Sequence, residues 1–133
     1  MKTSVIRLKK GDEAISKIIE FCEKKGINSA WFFGIGAASK AKLAIYDLDK
    51  KEYIRKEISG IYEILNFNGN ISSLDKKIIV HSHVTLSGNN FSAVGGHADE
   101  LIIAATCEIV LQQLDIELTR KHNGEIGLNL LDL

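Results

Sequence analysis

Three of the four histidines lie in one short stretch, VHSHVTLSGNNFSAVGGH, which spans residues 80–97. His81 and His83 are separated by one residue in a run rich in β-branched residues, which favours a strand. Because alternate side chains of a strand project from the same face, we expect the two imidazoles to point the same way. His97 follows a Gly-Gly pair after a turn-like GNN, and a returning strand would bring it towards the same region.

Three neutral imidazoles are typical ligands of zinc. Three protein ligands with a fourth position open to water form the pattern of a catalytic zinc site, in which the bound water has a pKa of about 7. We therefore predict a divalent metal site, with zinc as the first choice, at His81, His83 and His97. The spacing is equally compatible with histidines that only form hydrogen bonds, and both interpretations stay open. His122 lies next to an Asn-Gly turn and is expected to be exposed.

Two carboxylates are candidates for a catalytic role beside such a metal. Glu63 and Glu108 each lie among apolar neighbours in a predicted strand. A buried carboxylate needs a partner, or its pKa rises. Either residue can therefore serve as a general base on bound water, or as an acceptor for the N–H of a ligating histidine. The alternative is that each residue faces an edge or forms an ion pair.

The composition is that of one ordinary globular domain, which we assign to residues 1–133. Of the 133 residues, 45% are hydrophobic and 26% are charged. The 17 Lys and Arg residues balance the 17 Asp and Glu residues, which argues against a broad electrostatic grip on nucleic acid. Only three of these cations are arginine, the side chain that most often reads guanine and phosphate.

Neither a membrane span nor a secretion signal is visible in the sequence. No apolar run approaches the roughly 20 residues that a membrane span requires. The N-terminal residues lack the apolar core of a signal peptide, so we expect a cytoplasmic protein without a membrane partner. Cys22 and Cys107 are far apart in sequence and are expected to be reduced and buried.

The best-defined element is a helix over residues 12–25, which follows a strand over residues 3–9. Asp12 is a good N-cap, and Gly26 is a natural stop after a run with apolar residues at helical spacing. Gly34 and Gly36 indicate a bulge or the close approach of another backbone.

Strands joined by tight turns are predicted for the rest of the chain. They cover residues 40–48, 52–58, 61–71, 78–87, 101–114, 116–121 and 126–131. The run 101–114 is apolar on both faces, so we expect it to be covered on both sides. The predicted fold class is α+β, with a mainly antiparallel sheet and the N-terminal helix packed on it.

Several segments together resemble the PPC domain, whose name stands for plants and prokaryotes conserved. They are, in order, GDEAISKIIEFCEKKGINSAWFFGIGAASKAKLAIYD, YEILNFNGNIS, HSHVTLSGNNFSAVGGH, ATCEIVL and GLNLLDL, and they cover nearly the whole chain. The segment GIYEIL resembles the GRFEIL-type segment of the family, with Ile61 in the position of the arginine.

The resemblance implies an α/β domain with an antiparallel sheet that assembles as a homotrimer and binds metal through His81, His83 and His97. In plant members the domain follows an AT-hook that holds AT-rich DNA. This chain contains no AT-hook and no proline, so it resembles the stand-alone prokaryotic type, whose biochemical role is generally unassigned. Two hypotheses follow. The first is a homotrimeric domain with a three-histidine zinc site; if that site is catalytic, it activates water for attack on a small substrate, with Glu108 or Glu63 assisting. The second is a module that associates with DNA or with another protein and whose histidines are structural.

Overall fold

A computed structural model describes residues 2–133, and within that range it contains one helix and seven strands. In chain order these are β1 (Thr3–Lys9), α1 (Ala14–Lys25), β2 (Ala30–Asp47), β3 (Glu52–Leu74), β4 (Lys77–Ser87), β5 (Ala93–Gln113), β6 (Arg120–Asn123) and β7 (Leu128–Leu131). The mainly antiparallel sheet with one N-terminal helix confirms the predicted fold class. No helix in the described range is long and apolar enough to cross a membrane.

The main sheet has the strand order β1-β5-β2-β3-β4, and all of its pairings are antiparallel. Strand β5 is long enough to have two partners along one of its edges. Its C-terminal half pairs with β1, and its N-terminal end pairs with β4. The second pairing closes β2, β3, β4 and β5 into a ring, and it places the histidine-bearing strands β4 and β5 side by side.

The core lies between the inner face of this sheet and helix α1. The helix has apolar residues at the spacing of one face, and Ala14, Ile18 and Cys22 on that face are fully buried. Beneath them the rings of Phe32 and Phe67 meet edge to face with their centroids 5.1 Å apart. Aromatic pairs of this geometry contribute about 1 kcal/mol beyond their buried area, so they hold β2 and β3 in register.

The helix begins two residues later than predicted, because Glu13 rather than Asp12 is its N-cap. The Glu13 carboxylate accepts a hydrogen bond from the Ile15 N–H at 3.0 Å and another from the Leu101 N–H of β5 at 3.1 Å. One side chain therefore caps the helix and fixes it to the sheet, which a sequence pattern cannot show. Gly26 ends the helix as predicted, in the left-handed conformation with φ 67°.

The strands predicted at residues 52–58 and 61–71 are one continuous strand, β3. Gly60 between them adopts φ 129°, so the chain passes through the irregularity without leaving the sheet. Gly36 behaves as expected for a close approach. A Cβ atom on Gly36 would collide with the backbone carbonyl of Thr106 on β5.

The outer face of the sheet carries large apolar side chains. On β2 the buried Phe32 alternates with Trp31 and Phe33, which are 41% and 46% exposed. Val5 on β1 is 73% exposed and lies across β5 from Phe33, since both residues pair with Val110. Within the described residues these outer-face side chains stay exposed, so the chain itself does not supply the cover that we expect on this side of the sheet.

Strands β6 and β7 form a small hairpin that is attached beside the ring. The Tyr46 hydroxyl donates a hydrogen bond of 2.6 Å to the Ile126 carbonyl, and the Lys51 ammonium donates one of 3.0 Å to the Gly124 carbonyl. We call this C-terminal element the hairpin. The sequence predicted strands at residues 116–121 and 126–131, and both strands form here over shorter ranges.

Candidate metal centre

The three clustered histidines are brought together by the β4–β5 pairing. His83 of β4 lies directly opposite His97 of β5. His81 lies two residues before His83 and therefore on the same face of β4. The turn at residues 88–92 returns the chain so that this register is possible, with the Phe91 N–H donating to the Gly88 carbonyl at 3.0 Å.

The imidazole nitrogens that can bind a metal all lie within 4.8 Å of one another. The ring centroids are 5.1 Å apart for His81 and His83, 5.5 Å for His81 and His97, and 5.8 Å for His83 and His97. Two nitrogens that each lie about 2.0–2.1 Å from one ion are at most about 4.2 Å apart. Small rotations of the three imidazole rings are therefore enough to bring one nitrogen of each within bonding distance of a single ion.

The hydrogen bonding of His97 also fits a metal ligand. Its Nδ1 atom is buried and has no hydrogen-bond partner among the described residues, which normally costs free energy. Its Nε2 atom lies 3.4 Å from Oδ1 of Asp99. A carboxylate on one ring nitrogen and a free second nitrogen form the usual setting of a histidine that binds a metal. Asp99 is held in turn by the Nε atom of Arg55 at 2.8 Å.

The electrostatics of the site favour a neutral imidazole at His81 and at His97, the form that binds metal. Burial lowers the pKa of His81 to about 4, and the positive charges of Arg120, His83 and His97 act in the same direction. Burial also lowers the pKa of His97, although the Asp99 carboxylate opposes this effect. Tyr53 stacks on the His97 ring with a centroid distance of 4.9 Å and fixes its plane.

The histidines line two adjoining spaces. The histidine recess, of about 340 Å³, is lined by all three histidines together with Tyr46, Tyr53, Ala44, Ile45, Gly96 and Leu128. The hairpin cavity, of about 230 Å³, is lined by His81, His97, Tyr53 and Arg120 together with residues of β3, β4 and the hairpin. A small molecule in either space would lie against the imidazoles.

The two candidate carboxylates lie elsewhere. Glu63 and Glu108 are both exposed and line a separate space on the outer side of the sheet, together with Ile35, Leu65 and others. Glu63 pairs with Ser87, which is four residues from His83 along β4, or about 13 Å. Glu108 is eleven residues from His97 along β5, or about 35 Å along the strand. The structure thus brings His81, His83 and His97 together and brings neither glutamate to them within the chain.

Three residues of the site were not anticipated from the sequence: Tyr53, Asp99 and Arg120. Asp99 carries a usable signal, because it lies two residues after His97 on the same strand, the spacing at which side chains of a regular strand share a face. Tyr53 and Arg120 reach the site through the β2–β3 pairing and the hairpin, and no spacing in the sequence indicates either contact. His122 is exposed, as predicted, and its Nδ1 lies 3.1 Å from Oδ1 of Asn129.

Comparison with known proteins identifies the family. The chain matches the Plants and Prokaryotes Conserved (PCC) domain, also abbreviated PPC, over residues 1–115. It belongs to this family. The hairpin, which spans residues 120–131, lies beyond the segment that matches the PCC domain. None of the curated proteins compared with the chain matches it.

Solved structures of related proteins share the complete fold. A metal-containing protein from Archaeoglobus fulgidus is 35% identical, with a TM-score of 0.94 over 100% of this chain and 94% of that chain. A PPC protein from Pyrococcus horikoshii is 30% identical, with a TM-score of 0.92 over 100% and 92%. A candidate DNA-binding protein from Bacteroides thetaiotaomicron is 30% identical, with a TM-score of 0.94 over 98% and 91%.

Proposed function

We propose that this PCC domain is a metalloprotein that holds one divalent ion, with zinc as the first choice, on His81, His83 and His97. The observation that carries the proposal is the convergence of three imidazoles from adjacent strands, with their nitrogens within 4.8 Å of one another. The unpaired Nδ1 atom of His97 supports it, because a metal would satisfy that buried atom. The 35%-identical relative from Archaeoglobus fulgidus, named as a metal-containing protein, supports it as well.

We further propose that the centre acts on a small substrate. Three protein ligands leave one position of a tetrahedral zinc ion for water or for a substrate atom. A zinc ion in such a site supplies a polarising charge and a bound water of lowered pKa. The histidine recess and the adjoining hairpin cavity both provide space beside the imidazoles, and Tyr53 holds the His97 ring in place. Neither Glu63 nor Glu108 reaches the histidines within one chain, so either glutamate could act as a catalytic group only from another subunit. A catalytic role for these residues stays a prediction.

The test is metal analysis of protein purified without a histidine tag. We expect about one zinc ion per chain in the wild type, and none in the double variant His81→Ala, His83→Ala. His122→Ala is the matched control, because it removes an exposed histidine outside the cluster and should retain the metal. A wild-type protein that binds no divalent metal, even after incubation with zinc, would refute the proposal.

We propose in addition that the domain forms a homotrimer through the outer face of its sheet. The rings of Trp31 and Phe33 contact each other in a tilted arrangement with their centroids 5.5 Å apart on that face, and Ile35 beside them is 61% exposed. A strand that is apolar on both faces is typical of sheets covered on both sides. A second copy of the chain is the occupant that the PPC resemblance favours.

The oligomeric state can be measured by light scattering after size-exclusion chromatography. Phe33→Glu places a charge at the centre of this face and should convert trimers into smaller species. Leu133→Glu changes another exposed apolar residue, at the end of the chain, and should leave the mass unchanged. A wild-type monomer at micromolar concentration would contradict the proposal.

DNA association is the second candidate function, and the name of the Bacteroides thetaiotaomicron relative is the observation that favours it. The zero net charge weighs against it, and the Lys40 and Lys42 ammonium groups lie 3.3–3.8 Å from carboxylates of Glu57 and Glu100. Direct contact predicts binding to an AT-rich duplex at low salt that weakens steeply as salt rises. Absence of binding at low salt would leave only an adaptor role. Either role fits the cytoplasmic location that we expect, which cell fractionation would test.

A further inference from the structure

The hairpin forms one wall of the hairpin cavity beside the candidate metal centre. It contributes Arg120, Leu128, Asn129 and Leu130 to the lining, and His81 and His97 line the same cavity. All four hairpin residues lie beyond the segment 1–115 that defines the family match. The candidate metal ligands thus lie within the segment that matches the family. The hairpin, which lines the cavity beside them, lies outside that segment.

Arg120 is held rigidly in this wall. Its guanidinium donates hydrogen bonds of 2.8 Å to Oγ of Ser72, to Oδ1 of Asn70 and to the Asn129 carbonyl. Within the described chain these acceptors are all neutral, so the bonds orient the guanidinium without cancelling its charge. A guanidinium has five N–H donors, and two therefore remain for a ligand.

The charges around the cavity favour an anion. Three neutral imidazoles and a divalent ion carry a charge of +2, and Arg120 adds one more. Asp99, whose carboxylate contacts His97, forms an ion pair with Arg55 at 2.8 Å and does not line the cavity. An anion in this space would therefore meet two cationic groups and no carboxylate of the cavity wall.

The remaining walls specify the rest of the ligand. Besides Tyr53 and Asn129 they are aliphatic, formed by Leu74, Ile79, Val80, Leu128 and Leu130. The volume of about 230 Å³ lies below the roughly 300–1,000 Å³ of sites for drug-sized ligands. A short alkyl chain fits such walls, whereas a fully hydrated inorganic anion would gain nothing from them.

We propose that the hairpin cavity binds a short-chain carboxylate, with one carboxylate oxygen at the open position of the metal and the negative charge facing Arg120. This inference rests on the proposed metal centre and names the class of ligand that the centre takes. Arg120 is a specificity-determining residue in this arrangement, and the hairpin is the element that carries it.

Cobalt-substituted protein provides the test, because the visible spectrum of Co²⁺ changes when a ligand enters its open position. Butyrate, acetate and inorganic phosphate are titrated into the wild type and into Arg120→Gln, with cobalt content measured in parallel. We expect butyrate to bind most tightly, and its affinity to fall at least tenfold in Arg120→Gln, as expected for the loss of one charged hydrogen bond. Arg7→Gln makes the same charge change on the exposed part of β1 and should bind butyrate like the wild type.

A second pair of variants avoids the hydrogen bonds of Arg120. Leu130→Asp adds a negative charge to the cavity wall and should lower the affinity for butyrate at least fivefold. Leu130→Asn introduces a neutral side chain of the same shape as Asp and should lower the affinity by less. Unchanged butyrate affinity in both Arg120→Gln and Leu130→Asp, with cobalt retained, would overturn the inference and leave the metal centre standing. Phosphate that binds as tightly as butyrate would overturn the assignment to a carboxylate. A wild type that takes up no metal would overturn the metal centre itself.

Discussion

Acidification should destabilise the metal-free protein through His81. Burial lowers the pKa of His81 from its ordinary value of 6.5 to about 4, so the unfolded chain takes up a proton on this residue at a higher pH than the folded chain does. The folded state is therefore favoured above pH 6.5, and this contribution is lost as the pH falls from 6.5 towards 4. With these two pKa values, the loss between pH 7 and pH 4.5 is about 2 kcal/mol.

The assay is urea denaturation of the chelator-treated protein at both pH values, in the wild type and in His81→Gln. Carboxylates contribute to the acid response of both proteins, so only the difference between the two responses reports on His81. We expect the wild type to lose about 2 kcal/mol more than the variant over this range. Equal losses would refute the reasoning, because they would mean that His81 is as easily protonated in the folded state as in the unfolded chain.

Three further predictions concern metal, packing and thiols. Zinc at a hundredfold excess over its Kd should stabilise the wild type by about 2.7 kcal/mol, or about 10 °C in Tm, and His83→Ala should abolish this shift in a thermal melt. Gly36→Ala should cost about 3 kcal/mol in urea denaturation because its Cβ would collide with β5, whereas Gly124→Ala, with open space around it, should cost little. Burial raises the pKa of Cys22 to about 11 and that of Cys107 to about 12, so a thiol reagent should modify neither residue until the protein unfolds.

Much of the architecture follows from local patterns in the sequence. The helical spacing of apolar residues and the stop at Gly26 predicted α1 to within two residues, and the i, i+2 spacing of His81 and His83 placed both on one face of a strand. These features depend only on backbone periodicity. The helix start differed because the Glu13 carboxylate accepts a hydrogen bond from β5, 88 residues away in sequence.

The rest of the site depends on register between distant strands. The pairing of His83 with His97 requires the turn at residues 88–92 to have one particular length. Arg120 reaches the cavity only because the hairpin is anchored to β3, and Tyr53 reaches His97 only because β2 turns into β3 at residues 48–51. Side-chain alternation determines which face a residue occupies, but it does not determine which residue lies opposite.

The pairing of β1 with β5 has a consequence for how the protein is made. Thr3 pairs with Gln112 and Lys9 with Thr106, so β1 leaves the ribosome before its partner, which is synthesised about 100 residues later. At roughly 5–20 residues per second this delay is about 5–20 s, far longer than helix α1 needs to form. During that interval the apolar residues of β1 and β2 have no β5 to pair with. The nascent chain is therefore most exposed to aggregation just before β5 emerges, and the rate of translation between β1 and β5 sets how long that exposure lasts.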